Sequence, residues 1–316
     1  MRKCLTRMLL CLLILCVPAL SLAEEVVNVY NWEDYICQET LDMFTQETGI
    51  TVNMMNFTTN EDMLVKVRNS PSSFDVVFPS DYCIERMMQE DLLEKLDFTA
   101  IPNFSYIDPN LVNPSYDPTN EYSVPYMWGT VGILYNTTMV EEPITSWGSM
   151  FDTKYAKNVF MMDSIRDCLG ATLKYLGYSM NTRDPFELNA AKDLLIKQKK
   201  DGIVKAYQVD ETKDKMVAGE AALALVWSGD AQYAISLNPD LAYVVPSEGS
   251  NVWVDGMVVL KAAKNKENAM KFIDFMCRPD IAKMNCDEIS YSSPNTGAIE
   301  LMGDEYKNNA TMNPAQ

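Results

Sequence analysis

Hydrophobic positions along the chain switch repeatedly between a strand-like and a helix-like period. Val26-Val27-Asn28-Val29-Tyr30 reads as a short strand. From Gln38 to Thr48, Leu41 and Phe44 recur at helical spacing until Gly49 stops the helix. Ile50 to Met55 is a second strand, and Asn60 opens a helix to Asn69 with Glu61 and Asp62 in its first turn. Phe74 to Phe78 is a continuous apolar run closed by Pro79, the pattern of a buried parallel strand. A helix from Tyr82 to Glu90 follows.

Ile101 to Ser123 breaks this rhythm: it is rich in Pro, Asn, Asp and Tyr and reads as irregular surface chain. A strand is expected from Thr130 to Asn136, with Gly129 and Gly132 where backbones pass closely. The alternation then resumes. Strands are expected at Val159 to Met162, Ala221 to Val226, Ala242 to Val245 and Met257 to Leu260. Helices are expected at Ile165 to Leu176, Pro185 to Lys200, Glu211 to Met216, Gly229 to Leu237 and Asn265 to Met276, with one more from Pro279. Strands alternating with helices at this spacing define the α/β class, and the length suits two lobes of similar size.

The segment before Val26 lies outside that pattern. Arg2, Lys3 and Arg7 precede an apolar run from Leu9 to Leu22, and Ser21-Leu22-Ala23 places small residues before Glu24. This is the layout of a cleavable export signal over residues 1–23, too short for a membrane span. A lipid anchor at Cys16 is the weaker alternative, because Leu15 stands where a small residue should precede the cysteine. Removing the signal takes away Cys4, Cys11 and Cys16 and leaves Cys37, Cys83, Cys168, Cys277 and Cys286. None of these forms a C-x-x-C pair, so they read as buried thiols, with a Cys277–Cys286 bridge left open.

Charge narrows the chemistry. The chain carries 26 Lys+Arg against 44 Asp+Glu, a formal net of -18, which argues against a nucleic-acid partner. It contains 0 His, which removes His-based triads and His zinc sites. There is no G-x-G-x-x-G, no Walker A loop, no G-x-S-x-G and no calcium-loop signature, so no cofactor or metal is expected.

Aromatic and acidic residues do collect just beyond the expected strands. Trp32, Glu33, Asp34 and Tyr35 follow the first; Ser80, Asp81 and Tyr82 follow the Phe74 strand; Ser164 and Asp167 follow Met162. Trp227 and Asp230 follow Val226, and Trp253 and Asp255 precede Met257. In open α/β sheets ligands bind beyond the strand C-termini, so residues distant in sequence converge there. Rings beside carboxylates suit an organic cation: methylenes pack on the rings, ammonium groups gain cation–π attraction, and carboxylates accept their hydrogen bonds. At any single position a core tryptophan, or an aspartate that caps a helix or sits in a solvated turn, is the commoner reading. A carboxylate pair such as Asp34 with Asp255 or Asp230 would also serve an exported hydrolase.

Longer stretches add to this. Val29-Tyr30-Asn31-Trp32-Glu33-Asp34-Tyr35, Phe44-Thr45-Gln46-Glu47-Thr48-Gly49-Ile50, Asp75-Val76-Val77-Phe78-Pro79-Ser80 and Val124-Pro125-Tyr126-Met127-Trp128-Gly129 occur in this order. They are followed by Trp227-Ser228-Gly229-Asp230, Trp253-Val254-Asp255, Arg278-Pro279-Asp280-Ile281-Ala282 and Tyr291-Ser292-Ser293-Pro294-Asn295. With these segments the chain resembles the polyamine-binding proteins of bacterial ABC importers, the spermidine/putrescine type. The resemblance implies a two-lobed, type II periplasmic-binding fold, a binding protein and not an enzyme, located on the periplasmic or extracytoplasmic face. It implies lobe one at 24–130 with 254–298, and lobe two at 131–253 with 299–316.

By the same resemblance, Trp32, Asp34, Tyr35, Tyr82, Trp227, Trp253 and Tyr291 would enclose the ligand. Asp34 and Asp255 would receive amino groups, Ser80 would add a polar contact and Asp167 an acidic one, with Glu33 in the same turn. Ser164 stands where spermidine-type members carry aspartate, Asp230 matches the putrescine type, and Trp253 matches the spermidine type, so both ligands stay open with a lean to spermidine. The implied partners are ABC permease subunits with a cytoplasmic ATPase, and the protein is expected to be a monomer. Other readings are a receptor for a different small cation, or one that feeds a sensor. Met312-Asn313-Pro314-Ala315-Gln316 falls short of where members of that family finish, so a C-terminal helical segment is expected to be missing.

Overall fold

The first strands and helices form where the pattern places them. β1 (Val26–Trp32), α1 (Gln38–Thr48), β2 (Thr51–Phe57), α2 (Asn60–Asn69), β3 (Val76–Val77) and α3 (Asp81–Gln89) lead to the long β4 (Ser123–Asn136). Then come β5 (Val159–Met162), α4 (Ile165–Tyr175), α5 (Pro185–Lys200), β6 (Val204–Gln208), α6 (Glu211–Val217), β7 (Leu223–Trp227) and α7 (Ser228–Leu237). β8 (Leu241–Val244), β9 (Val252–Val259), α8 (Lys266–Met276), α9 (Pro279–Ile289) and α10 (Thr296–Lys307) complete the chain. This computed structural model describes residues 25–312. The export signal, the Cys16 alternative and residues 313–316 lie outside the described residues.

Among the described residues the strands lie in the order β2-β1-β3-β9-β4-β7-β5-β6, with β8 also on β4. β1 pairs in parallel with β2 and β3, and β5 does so with β6 and β7. Between these two parallel halves run β9 and β4, antiparallel to each other and to their neighbours. Ser123 to Thr130 of β4 pairs with β9, whereas Val131 to Asn136 pairs with β7 and β8. One strand thus threads both halves, and the result is the two-lobed α/β architecture expected.

Several elements differ from expectation. β4 begins at Ser123 instead of Thr130, because the register shift between Pro125 and Met127 accommodates a proline that has no amide hydrogen to pair. β9 begins at Val252 instead of Met257: Asp255 and Gly256 interrupt its apolar pattern, and the exposure of Val252 and partial exposure of Val254 alternate with the burial of Trp253 and Asp255. β6 was not anticipated; its burial alternates weakly along Val-Lys-Ala-Tyr-Gln. α10 was not anticipated either. It packs on α9, while Asn309 beyond it donates to Gln232 of α7 at 3.0 Å, so the tail touches both halves. The Ile101 to Ser123 stretch is irregular as expected, holding only short 3-10 turns.

Local chemistry explains the joints. Gly49 closes α1 at φ 75°, a left-handed conformation that costs glycine little. Thr59 caps α2 and Asp184 caps α5 ahead of Pro185. Asp75 is fully enclosed beside β3. Its carboxylate accepts from the amide and side chain of Asn28 on β1, and from Lys264 N and the amide and side chain of Asn265 before α8, all at 2.8 to 3.0 Å. Burial alone would raise its pKa, but these donors outweigh that and lower it. The five described cysteines are buried and free, so Cys277 and Cys286 form no bridge; Cys286 Sγ instead donates to Tyr291 O at 2.7 Å. None of the described helices is long and apolar enough to cross a membrane.

Candidate functional site

α3, α4 and α7 follow β3, β5 and β7, and each helix starts just beyond the C-terminal end of its strand. Bare helix N-termini present partial positive charge and bind anions. Here each first turn carries an acid: Asp81 in α3, Asp167 in α4 and Asp230 in α7. The local sign is therefore reversed, and the crevice is made acidic by the same residues that favour helix initiation.

Asp255 of β9 lies at one end. It is 5% exposed and faces Ser80 across an antiparallel bridge. Tyr35 Oη donates to Asp255 Oδ2 at 2.9 Å, while Oδ1 has no partner in the described protein. Burial pushes Asp255 up to about 7; Ser80 and Tyr35 oppose that, and the neighbouring Asp81 and Asp167 add to it. Burial also raises Asp81 and Asp167, with Arg166 working in the opposite direction on both. Ser164 caps α4 and donates to Asp167 Oδ2 at 2.7 Å, which fixes that carboxylate at the helix start.

The other end gathers around Asp230. Burial pushes it up to about 6, against the pull of Lys213 and Tyr291, and Asp210 and Asp34 raise it further. Between the ends stands a row of rings. Tyr291 meets Trp253 at 5.2 Å and Tyr35 at 5.5 Å, both edge to face, and Tyr35 continues to Tyr126 at 5.6 Å. The indole nitrogen of Trp253 is buried with no hydrogen-bond partner in the described protein. Gly229 lets this row approach α7, since a Cβ there would lie 2.5 Å from the Tyr291 ring.

The expected residues are thus largely brought together. Tyr35, Asp167, Trp253, Asp255 and Tyr291 are buried; Trp32, Ser80, Tyr82, Ser164, Trp227 and Asp230 are half-buried. Trp32 is anchored by its indole N–H donating to Phe78 O at 2.8 Å, and its ring packs on Phe57 at 4.5 Å. Asp34 is exposed in a left-handed turn at φ 48°, in the electrostatic field of Asp210 and Asp230. Glu33 is exposed, and among the described residues its carboxylate has no hydrogen bond to the others.

Sequence reasoning missed several groups around the crevice, one of them in a contact between the lobes. Arg166 lies over the Tyr82 ring, 4.4 Å from guanidinium carbon to ring centroid. Glu61 accepts from Tyr82 Oη at 3.2 Å. Lys213 and Asp210 flank Asp230. Only Glu61 had left a signal, as an acid in the first turn of α2. A basic residue within an acidic cleft had no signal at all.

Two α/β lobes joined by crossing strands, with an acidic aromatic crevice between them, define a protein that binds a small solute. Comparison with known proteins carries this to a family. Residues 39–314 match the family model of the bacterial extracellular solute-binding proteins. The chain is 36% identical over 293 residues to the spermidine/putrescine-binding periplasmic protein of Salmonella typhimurium, covering 92% of this chain and 84% of that one. Among solved structures, a spermidine/putrescine ABC transporter protein from Listeria monocytogenes superposes with a TM-score of 0.89 at 38% identity, covering 92% of this chain and 90% of that one. The spermidine/putrescine ABC transporter substrate-binding protein of Streptococcus pneumoniae gives 0.80 at 40% identity, covering 92% and 89%. The chain belongs to the bacterial extracellular solute-binding protein family, in its spermidine/putrescine ABC-transporter group.

Proposed function

We propose that this protein captures a polyamine, spermidine or putrescine, between its lobes outside the cytoplasmic membrane and delivers it to an ABC permease driven by a cytoplasmic ATPase. The observation that carries the reading is Asp255: a buried carboxylate with one oxygen unpartnered, beside a wall of Trp253, Tyr291 and Tyr35. A protonated amine supplies what that oxygen lacks, and it restores the charged form that burial disfavours. The relatives named above carry spermidine and putrescine in their names.

The ends at Asp255 and Asp230 would each take an amino group, with Asp34 and Asp167 contributing and Trp32, Tyr82 and Trp227 completing the apolar walls. Ser80 would act through Asp255. The backbone ladder supports placing the lobe division inside β4 and β9, near residues 130 and 253. Binding would stabilise the closed arrangement because the ligand touches both lobes.

Calorimetric titration with spermidine and putrescine in parallel tests this. Saturable one-to-one binding of either is expected, and their ratio reports whether Asp230 or Trp253 sets the preferred length. Heat from an anionic or neutral solute, with none from either amine on folded protein, would overturn the reading.

A further inference from the structure

Arg166 is the second residue of α4, and Tyr82 is the second residue of α3. The two helices belong to opposite halves of the sheet, α3 following β3 and α4 following β5. The guanidinium nonetheless lies over the Tyr82 ring at 4.4 Å. Tyr82 is held in place from behind, its hydroxyl donating to Glu61 at 3.2 Å. Asp81, at the start of the same helix, and Asp167, beside Arg166 in the chain, both feel the positive charge. This contact exists only when the two halves face each other, and it needs nothing but protein.

We infer that Arg166 is a positioning residue, a latch that clamps α4 onto α3 and holds this end of the crevice shut through the face of Tyr82. The inference rests on the solute-binding reading for its purpose but not for its geometry. The other end is also crossed by protein contacts, Tyr291 hydrogen-bonding Asp230 and its ring lying against Gly229 of α7. There Asp34 of the β1 turn lies in the field of Asp210 and Asp230 of the second half, and these like charges, offset in part by Lys213, oppose approach. The two ends therefore differ in charge: the Arg166 guanidinium joins the halves at the Tyr82 side, whereas the Asp34 side carries an acidic excess that a cation would relieve. Arg166 is exposed, so the latch works by ring contact and by a field that salt weakens.

The test compares Arg166→Ala, Arg166→Lys and Ile165→Ala, the last an exposed neighbour at 82%. Two readouts are taken: the distance between spin labels on the outer faces of α2 and α5 without any added amine, and spermidine dissociation by stopped flow. For Arg166→Ala the unliganded distance distribution should move to longer values, and dissociation should speed up about fivefold with an unchanged association rate. Arg166→Lys should recover part of both, and Ile165→Ala should match the parent. An unliganded distribution unmoved by Arg166→Ala would overturn the latch, whether or not spermidine binds. So would slower dissociation, which would mark the guanidinium as a resident competitor of the ligand. If the parent binds no amine while its distances still respond to Arg166→Ala, the latch stands and the ligand class is wrong.

Discussion

Asp255 and Asp75 are both buried aspartates, yet their surroundings drive them in opposite directions. Asp75 collects donors from two asparagines and the Lys264 amide, so its charged form is the stable one and its pKa is lowered. Its contribution to stability is present above the unfolded value near 4 and is lost as pH falls through the folded one. Asp75→Ala should cost about 3 kcal/mol in urea denaturation, because the donors it satisfies are left buried. Asp255 has a single close donor, and burial pushes it up to about 7. The raised value means that the unliganded protein loses stability from this group as pH rises from near 4 to about 7. An amine reverses the preference, so binding near pH 6.5 should release protons, visible as a buffer-dependent heat. Affinity should be about tenfold weaker at pH 6 than at pH 8. Asp255→Asn should keep the fold, bind far more weakly and lose most of this pH dependence; parent-like affinity at low salt would refute the pairing.

At the scale of elements, the strand–helix junctions do two jobs at once. Asp167 and Asp230 each favour the start of a helix and make the crevice negative. This is why capping and binding could not be told apart from linear order. Ser164 illustrates the coupling: Ser164→Ala removes the cap of α4 and frees Asp167 Oδ2. It should cost about 1 kcal/mol of stability and, by releasing the carboxylate, alter amine affinity independently of that loss. Gly229→Ala tests the other junction. A Cβ 2.5 Å from the Tyr291 ring forces the ring away from α7 and from Asp230. Titration should report weaker binding with near-parent circular dichroism, and unchanged affinity would mean that the ring row is not part of the site.

For the whole molecule, the net charge of -18 acts beyond the cleft, since an acidic field attracts a polycation over a Debye length. Association with spermidine should slow several-fold between about 20 and 200 mM salt, with a smaller effect on dissociation. Ligand should also lower the radius of gyration in solution scattering, and an unchanged profile would argue against closure. The sequence by itself determined the alternation that makes an α/β chain, the absence of histidine chemistry, and the aromatic and acidic residues stationed after strands. These are local: a helix period, a cap or a missing residue type is readable without knowing what lies opposite. Trp32, Asp34, Trp227, Trp253 and Tyr291 were recognisable as a group because their flanking motifs resemble a family. Only the tertiary structure decided that β4 runs unbroken from Ser123 through a bulge at Pro125, since strand pairing is a property of two segments and not of one. It alone placed Arg166 of one half on Tyr82 of the other, and Asp210 beside Asp230. Charges and rings that meet across a cleft leave no periodic trace in either partner's sequence, because no local rule links the two helices that carry them.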